Sequence, residues 1–417
     1  MNDVGDVAST EQQYDDIPPL RRDRRVQAWV ASTTLSGLGD AAWMVGLAWT
    51  AAVEFGPATA GLVLGIGATP RAVMLLLGGA LADRLDPRRT MIATNLARIA
   101  ILLVGIALAE TWGIGFGLLL GIAICFGIAD ALYLPASSTL PPQLVRPDDL
   151  GPTQAMFQLG HRLATLIGAP VGGIAVAWGG LPLVMAIDAA SFLVIAVVLA
   201  TVLKPRFPLA RSTGSGVRAD LVAGFGYLRR TPPVRTLVLA LSGLNLFVSP
   251  VIAVGLALRT RSAGWGAGSL GLFEACIGAG AAIGALVALT WRPRRPARTG
   301  LVLRAGQATA CGVVGVAPYV GIVAAMTTIG VTAGLASAFL SGAFIRTVDG
   351  AYLGRMSSIM ALGDNVFMPL AMTGFGALAA TGSLSLACVV TGLAFATVVL
   401  WSASRPIDDP QPVASPA

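Results

Sequence analysis

Mostly apolar runs, each long enough to cross a lipid bilayer, recur twelve times along the 417-residue chain. A helix needs about 20 such residues to cross about 30 Å of hydrocarbon. Backbone N–H and C=O groups have no water partner in lipid, and a helix pairs them all within one segment. The chain is therefore predicted to be an all-α polytopic membrane protein.

The predicted spans form two sets of six, separated by the longest internal connection, 204–233. Only 12% of the residues are charged, against about 25% in soluble domains, which agrees with lipid as the main solvent. The predicted organisation is a tail at 1–25, a bundle at 26–203, the linker and a bundle at 234–403, followed by a tail at 404–417. The twelve spans are 26–53, 58–82, 89–109, 112–135, 153–177, 181–203, 234–258, 266–291, 299–320, 322–346, 355–380 and 383–403.

The positions of Lys and Arg predict the orientation in the membrane. Most basic residues lie in the two tails and in alternate connections, with Arg304 counted among them. Only Arg259 and Arg261 fall in connections on the other side. Because cytoplasmic loops carry the excess of Lys and Arg, we expect a multi-pass plasma-membrane protein with both termini in the cytosol. The net charge of +7 does not indicate nucleic-acid binding, since aromatic residues are not interleaved with the basic ones.

The linker contains a short amphipathic segment, Asp220–Arg230. Leu221, Phe225 and Leu228 fall on one helical face, and two arginines end the segment. We therefore predict a short helix at the membrane interface.

The two halves repeat each other weakly. Gly79-Ala80-Leu81 precedes Pro87-Arg88-Arg89, as Gly284-Ala285-Leu286 precedes Pro293-Arg294-Arg295. Leu150-Gly151 opens span five as Leu353-Gly354 opens span eleven. Two six-helix repeats with a site between them are the usual architecture of a carrier.

The loop after span two reads Gly78-Gly79-Ala80-Leu81-Ala82-Asp83-Arg84-Leu85-Asp86-Pro87-Arg88-Arg89. It resembles the signature of the major facilitator superfamily, G-x-L-a-D-r-x-x-r-R. The resemblance implies that Asp83 faces the positive N-terminal end of span eleven, near Arg355, and locks the outward-open state. An ordinary charged turn that anchors the topology is the alternative. The residues of this expected switch are Gly79, Asp83, Arg84, Arg88, Arg89 and Arg355.

Other segments resemble one branch of that family, the enterobactin exporters and macrolide efflux proteins. They include Leu134-Pro135-Ala136-Ser137-Ser138, Ile187-Asp188-Ala189-Ala190-Ser191-Phe192 and Leu353-Gly354-Arg355-Met356-Ser357-Ser358. Gly168, Pro170, Gly172 and Gly173 are similar to the antiporter motif of span five, which implies a distorted helix. Two departures weaken the antiporter likeness: Ala169 stands where Gly usually precedes the proline, and span four contains no arginine.

Ionisable residues at bilayer depth are costly, and each is therefore a candidate site. Asp40, deep in span one, and Arg71, in span two, lie on sequential antiparallel spans and could face each other. One hypothesis is a proton site at Asp40 that Arg71 gates. A static buried salt bridge between the two is the alternative.

The remaining intramembrane charges divide into two groups. Spans three and six lie outside the cavity in the facilitator fold, so Arg98 and Asp188 are expected to have structural roles, and Asp130 is expected to pair with Arg162 or Arg98. The further candidates for proton coupling or substrate contact are Glu274, His161, and Asp364 beside Asn365.

The resulting functional hypothesis is a proton-coupled exporter of a small amphipathic organic compound, such as a drug, siderophore or secondary metabolite. Two bundles would rock around a central site, in a protein that functions as a monomer in the lipid bilayer without cofactor or metal. An uptake symporter or facilitator is the first alternative, and a non-transporting receptor or membrane enzyme is the second. Against an enzyme, the single lysine, Lys204, follows Leu203 and forms no phosphate-binding G-K-[S/T] loop, and the single His excludes H-E-x-x-H.

Overall fold

The computed structural model describes residues 18–77, 86–207, 217–405 and 407, and the described residues form helices and connections without any strand. Twelve long helices correspond one to one with the predicted spans. The first six are α1 (Arg24–Phe55), α2 (Pro57–Leu77), α3 (Pro87–Trp112), α4 (Phe116–Thr139), α5 (150–178) and α6 (181–201). The last six are α7 (Pro232–Ser262), α8 (Ala267–Thr290), α9 (Pro296–Val313), α10 (Tyr319–Thr347), α11 (Gly350–Thr381) and α12 (Leu384–Ala403).

Helices α5 and α6 follow each other without a loop. Helical hydrogen bonding runs through Leu150–Thr201, but the backbone leaves the helical region at Gly179 and Gly180. Gly180 has a φ of 63°, a left-handed conformation in which a side chain would be strained. Pro182 follows, where its fixed φ suits the first turn of the next helix. These two glycines therefore form the whole turn between α5 and α6.

Seven helical segments are long and apolar enough, by length and composition alone, to cross a membrane within the described part of the chain. One of these segments, Pro147–Thr201, contains both α5 and α6. Helices α1, α2, α9 and α11 are outside this set and carry Asp40, Arg71, Arg304 and Asp364 within their lengths. α9 also ends at Val313, earlier than the predicted residue 320, because the chain turns before Pro318.

The two halves of the chain touch mainly through α2 against α11 and through α5 against α8. A Cβ placed on Gly61 would lie 2.6 Å from the carbonyl oxygen of Met372, and one on Gly173 would lie 2.6 Å from that of Ala267. Both contacts lie far from the end of the bundle where α1 begins and α12 ends, which is called the terminal side below. Small residues thus bring the halves into backbone contact on the side opposite the termini.

Arginines close the same opposite side. Arg261, at the end of α7, donates a hydrogen bond to the carbonyl oxygen of Ala52 in α1. Arg259 donates to the carbonyl oxygen of Ala317 at 2.8 Å. These two residues are the ones that the charge pattern assigns to this side.

A brace ties the first half together on the terminal side. Asp23 caps α1 by accepting hydrogen bonds from the backbone of Arg25 and Val26. Its carboxylate also forms a salt bridge with Arg206, which follows α6. Arg206 donates in addition to the carbonyl oxygen of Leu144, 2.9 Å away. One guanidinium therefore joins the start of α1, the α4–α5 connection and the segment after α6.

A linker helix, Val217–Arg230, lies against α11. Gly224 lies against Met356 and Ile359 of α11, and the ring of Tyr227 stacks on that of Tyr352 at 4.2 Å. Phe225 is exposed, whereas Leu228 packs against the buried cluster of the second half. The predicted helix is therefore present, and its position at the membrane interface stays a prediction.

Candidate functional site

A cavity of about 570 Å³ lies among the helices of the first half. Its walls combine apolar and aromatic side chains with six ionisable groups. Helices α1 to α5 all contribute to it. The lining includes Thr33, Ser36, Asp40, Trp43, Leu64, Arg71, Arg98, Phe126, Asp130, Tyr133, Phe157 and His161.

Two arginines converge on one carboxylate in this cavity. Arg71 donates to Oδ2 of Asp130 at 2.6 Å, and Arg98 donates to Oδ1 of the same side chain. The Arg71 side chain is 41% exposed, whereas that of Arg98 is only 4% exposed. Asp130 thus bridges an accessible cation and a buried one.

Arg98 lies in an aromatic cage. Its guanidinium carbon is 4.5 Å from the ring centre of Tyr133, 4.9 Å from that of Phe192 and 5.7 Å from that of Phe126. Ring faces attract a cation and partly replace its lost water. The expectation that a residue of α3 would stay outside the cavity is wrong for this side chain, because Arg98 is long enough to reach the cavity wall.

Asp40 lies in the same cavity but not in the expected pair. The carboxylate that binds Arg71 is Asp130, so the predicted Asp40–Arg71 salt bridge is not formed. Asp40 interacts electrostatically with Arg98, Asp130 and Arg71, and no hydrogen bond or ion pair to its carboxyl occurs among the described residues. Its distance from Arg71 is set by the rotation of α1 about its axis, which sequence spacing does not determine.

Asp188 lies behind the cavity and is fully buried. Ser191 donates a hydrogen bond to its Oδ1 at 3.2 Å. A Cβ on Gly39 would clash with this carboxyl and with the Ser191 hydroxyl, so the absence of a side chain at Gly39 makes room for both. The Ile-Asp-Ala-Ala-Ser-Phe segment therefore packs against α1, and it places the Asp188 carboxyl against Gly39, the residue before Asp40.

The candidates on α5 are divided between the cavity and helix packing. His161 lines the cavity, whereas Arg162 is exposed and forms no ion pair within the described ranges. Asp130 therefore pairs with Arg98, one of its two expected partners, and not with Arg162.

The antiporter-like glycines of α5 serve close packing. Gly168 and Gly172 lie against the backbone of α1, and Gly173 lies against α8. The helix continues through Pro170, and its backbone becomes non-helical only at Gly179 and Gly180. The distortion that the family resemblance implies is therefore displaced to the end of α5.

The second half carries its charges separately. Gly271 and Gly278 of α8 face α5, and Gly280 and Gly284 face α10, which leaves Glu274 on the face between them, toward the centre of the molecule. No hydrogen bond or ion pair to Glu274 occurs in the part of the chain that the structure describes.

Arg304 is a buried charge that sequence reasoning left out of the site candidates. It was counted among the basic residues of the cytosolic side, although it falls within the predicted span 299–320, and it lies inside α9 and is 1% exposed. It donates to Oε1 of Gln307 at 3.3 Å and interacts electrostatically with Asp364 of α11. The signal that could have found it is the internal repeat, because Arg304 follows Pro293-Arg294-Arg295 at the distance at which Arg98 follows Pro87-Arg88-Arg89.

Three residues of the expected switch, Gly79, Asp83 and Arg84, lie outside the described residues. Arg88 donates hydrogen bonds to the carbonyl oxygens of Leu199 and Ala200 at 2.8 and 2.7 Å, at the end of α6.

Of the other two switch residues, Arg89 is exposed, and the guanidinium of Arg355 lies over the ring of Tyr352. The switching role of the motif stays a prediction.

Twelve long helices, with a charged and partly accessible cavity among the first five, define a polytopic membrane protein. Residues 29–362 match the family model described as Major Facilitator Superfamily, and the chain belongs to this family of transporters. The protein is therefore a multi-pass membrane transporter and not an enzyme.

One curated relative shares part of the sequence. Over 224 residues, the chain is 26% identical to YfiS, an uncharacterized MFS-type transporter of Bacillus subtilis (strain 168). The match covers 52% of this chain and 52% of that protein, so the chain spans about half the length of the relative it matches.

Solved structures share the fold at low sequence identity. A bacterial homologue of the iron transporter ferroportin, in an inward-facing state, matches with a TM-score of 0.71 and 16% identity, covering 93% of this chain and 100% of that one. The nucleoside transporter NupG matches with a TM-score of 0.72 and 10% identity, covering 92% and 100%. A bacterial homologue of the lysosomal transporter Spinster, inward-facing and unoccupied, matches with a TM-score of 0.70 and 14% identity, covering 93% and 96%.

Proposed function

We propose that this transporter exports a small amphipathic organic compound and couples that export to proton entry through alternating access. The observation that carries the proposal is Asp40, a carboxyl that lines the cavity, lies near two arginines and forms no ion pair with either. A carboxyl in this position can take up or release a proton when the position of the nearby arginines changes.

The cavity supports a small organic substrate. Its volume of about 570 Å³ lies within the range of about 300–1,000 Å³ that is usual for small-molecule sites. Trp43, Phe126 and Phe157 offer apolar ring surfaces, while Thr33 and Ser36 offer hydroxyl groups. Such walls suit a compound with an apolar body and a few polar groups.

The contacts between the halves support alternating access. The glycine contacts of α2 with α11 and of α5 with α8 bring the two halves into backbone contact on the side opposite the termini. With both termini in the cytosol, this arrangement corresponds to an inward-facing state. Two of the matching solved structures are described as inward-facing.

The direction of transport rests on the resemblance to the efflux branch in α4, α6 and the start of α11. A proton-coupled uptake carrier is the second candidate, because a D-xylose-proton symporter shares the fold with a TM-score of 0.69 at 13% identity. The same cavity charges serve either direction. The sign of the response to a pH gradient distinguishes the two functions.

The test uses inside-out vesicles and a panel of ethidium, a macrolide antibiotic, a catecholate siderophore, uridine and D-xylose. We expect at least one amphipathic compound to accumulate when the vesicle interior is acidified, and Asp40→Asn to abolish this accumulation. Counterflow without a pH gradient should survive in Asp40→Asn, because exchange need not return a proton. Glu54→Gln, an exposed carboxyl of α1 outside the cavity lining, is the matched control and should keep proton-driven transport.

Accumulation that runs only with an alkaline interior would replace export by uptake. Full proton-driven transport in Asp40→Asn would overturn the assignment of Asp40 and make Asp364 or Glu274 the next candidate.

A further inference from the structure

Asp188 combines complete burial with incomplete hydrogen bonding. The residue is 0% exposed, its Oδ1 accepts from Ser191, and its Oδ2 is a buried oxygen without a hydrogen-bond partner. An ionised carboxylate in this position would lose its water and gain only one hydroxyl hydrogen bond in return. The cost of such burial is avoided when the carboxyl holds a proton.

The charged and titratable groups around Asp188 come from several packed helices. Asp40 of α1 follows Gly39, whose bare backbone touches the Asp188 carboxyl. Arg98 of α3 and Asp130 of α4 interact with Asp188 electrostatically. Tyr133 of α4 belongs to the same network, and so does Arg71 of α2, because Arg71 forms a salt bridge with Asp130. His161 of α5 lines the adjoining cavity.

The charges of this network do not balance without a proton. Arg71 and Arg98 supply two positive charges, and Asp130 neutralises one of them through its two salt bridges. One positive charge remains for both Asp40 and Asp188. If both carboxyls were ionised, one negative charge would stay uncompensated inside the membrane, at a cost of several kcal/mol.

We infer that Asp40 and Asp188 form one proton site, in which the two carboxyls of α1 and α6 hold a single proton between them. This inference deepens the proposed function and rests on it for the purpose of the proton. Asp40 is the member in contact with the cavity, and Asp188 is the sheltered member. While the pair holds its proton, one carboxyl is protonated and the other is ionised, so the pair carries one negative charge, opposite Arg98.

The pair explains features that a lone Asp40 leaves unused. Gly39 leaves space for the Asp188 carboxyl, and Ser191 donates a hydrogen bond to it, away from the residues that line the cavity. The buried Nε of Arg98 has no hydrogen-bond partner in the described structure, so this guanidinium compensates charge around it without being fully committed to Asp130. A sheltered second carboxyl lets the proton stay bound while Asp40 faces water or substrate.

The test measures protonated carboxyls directly by infrared spectroscopy of the purified full-length protein in lipid nanodiscs at neutral pH, without substrate. The variants are Asp40→Asn, Asp188→Asn and the double variant. In each single variant the charges of the network balance without a bound proton. In the double variant neither carboxyl of the pair remains to bind one. We therefore expect each single variant to lose the band intensity of one protonated carboxyl, and the double variant to lose the same intensity rather than twice as much.

Glu110→Gln is the matched control, because it replaces an exposed carboxyl of α3 and keeps every charge of the network. It should keep the wild-type band intensity. Asp188→Ser removes the same carboxyl with a smaller side chain and serves if Asp188→Asn does not purify as a monodisperse protein.

Loss of the band in only one single variant, or a doubled loss in the double variant, would overturn the shared proton. Because no substrate is present, this result is independent of the transport assay. A non-additive loss combined with pH-independent transport would keep the carboxyl pair and remove the proposed coupling.

Discussion

The two halves of the chain place an arginine at the same point of the repeat and surround it differently. Arg98 in α3 and Arg304 in α9 follow their Pro-Arg-Arg segments at equal distance, and both are buried. Arg98 forms a salt bridge with Asp130 and lies among three aromatic rings. Arg304 hydrogen-bonds to the neutral Gln307.

A second repeated position differs in the same way. His161 follows Gly160 in α5, and Asp364 follows Gly363 in α11, each at the same distance from the Leu-Gly pair that opens its helix. The first half thus has a potential base where the second half has an acid. The two halves therefore place polar residues at equivalent positions along their helices, but the residue types and their partners differ. The result is a charge network concentrated in the first half.

Replacing each of the two arginines by methionine gives the largest expected contrast between the halves. Arg98→Met should lower the free energy of unfolding by about 3–5 kcal/mol, because it breaks a buried ion pair and leaves the acids of the network without their cation. Arg304→Met should lower it by less than Arg98→Met does, because Arg304 hydrogen-bonds to the neutral Gln307 and interacts electrostatically with Asp364 rather than with a network of acids.

Equilibrium unfolding in mixed micelles measures both variants. The Arg98→Met/Asp130→Asn double variant should recover part of the loss. Equal destabilisation by Arg98→Met and Arg304→Met would remove the proposed difference between the halves.

The brace between Asp23 and Arg206 is expected to depend on pH, whereas the stacked rings of Tyr227 and Tyr352 in the second half are not. Burial acts to raise the pKa of Asp23, but the hydrogen bond and charge of Arg206 outweigh it and hold the pKa below its ordinary value of 3.8. The stabilisation is therefore complete above pH 3.8 and is lost as the pH falls through the lower folded pKa. Asp23→Asn keeps a capping side chain and should cost about 1.5–3 kcal/mol at neutral pH.

The difference between wild type and Asp23→Asn should shrink as unfolding is measured at increasingly acidic pH. The second half offers an uncharged counterpart, the stacked rings of Tyr227 and Tyr352. The effect of Tyr227→Leu should not change over the same acidic range. A pH-independent effect of Asp23→Asn would show that its charge does not stabilise the brace.

The joint between the halves gives the smallest expected effect on free energy. Gly61→Val would push its side chain into the backbone of Met372 and Gly376 in α11. Overpacking of this kind costs about 1–3 kcal/mol and should shift the population toward separation on the side opposite the termini. Gly117→Val, on a glycine with open space around it, is the matched control.

Spin labels at residues 58 and 381, in a background without the four native cysteines, would report the distance between α2 and α11. We expect longer distances in Gly61→Val and unchanged ones in Gly117→Val. An unchanged distribution in Gly61→Val would mean that this contact does not control closure.

The twelve helices could be predicted from the sequence because lipid leaves a long apolar segment little choice of structure. The bounds agree closely wherever a capping or turn residue ends a segment, as at Asp86 before α3. The prediction was weakest for α9, because Arg304 lowers its apolar character and a short turn follows its end at Val313. Local chemistry therefore sets the elements, and polar residues inside them blur their limits.

The partners within the site could not be predicted to the same degree. The sequence placed Asp40, Arg71, Arg98 and Asp130 at membrane depth, but the pairing depends on how each helix is rotated. Rotation is set by close contacts such as that of Gly39 with Asp188, which are properties of two helices packed together. Long side chains add to the uncertainty, because Arg98 reaches a cavity that its helix does not line with its backbone.

The brace between Asp23 and Arg206 also orders events during synthesis. These partners are 183 residues apart, and at about 5–20 residues per second the ribosome needs roughly 10–40 s to add the second after the first. Throughout that interval, the carboxylate at the start of α1 has no arginine from behind α6 to bind. The bond can close only when the sixth helix has left the ribosome, so the whole first half must be synthesised before this brace can form.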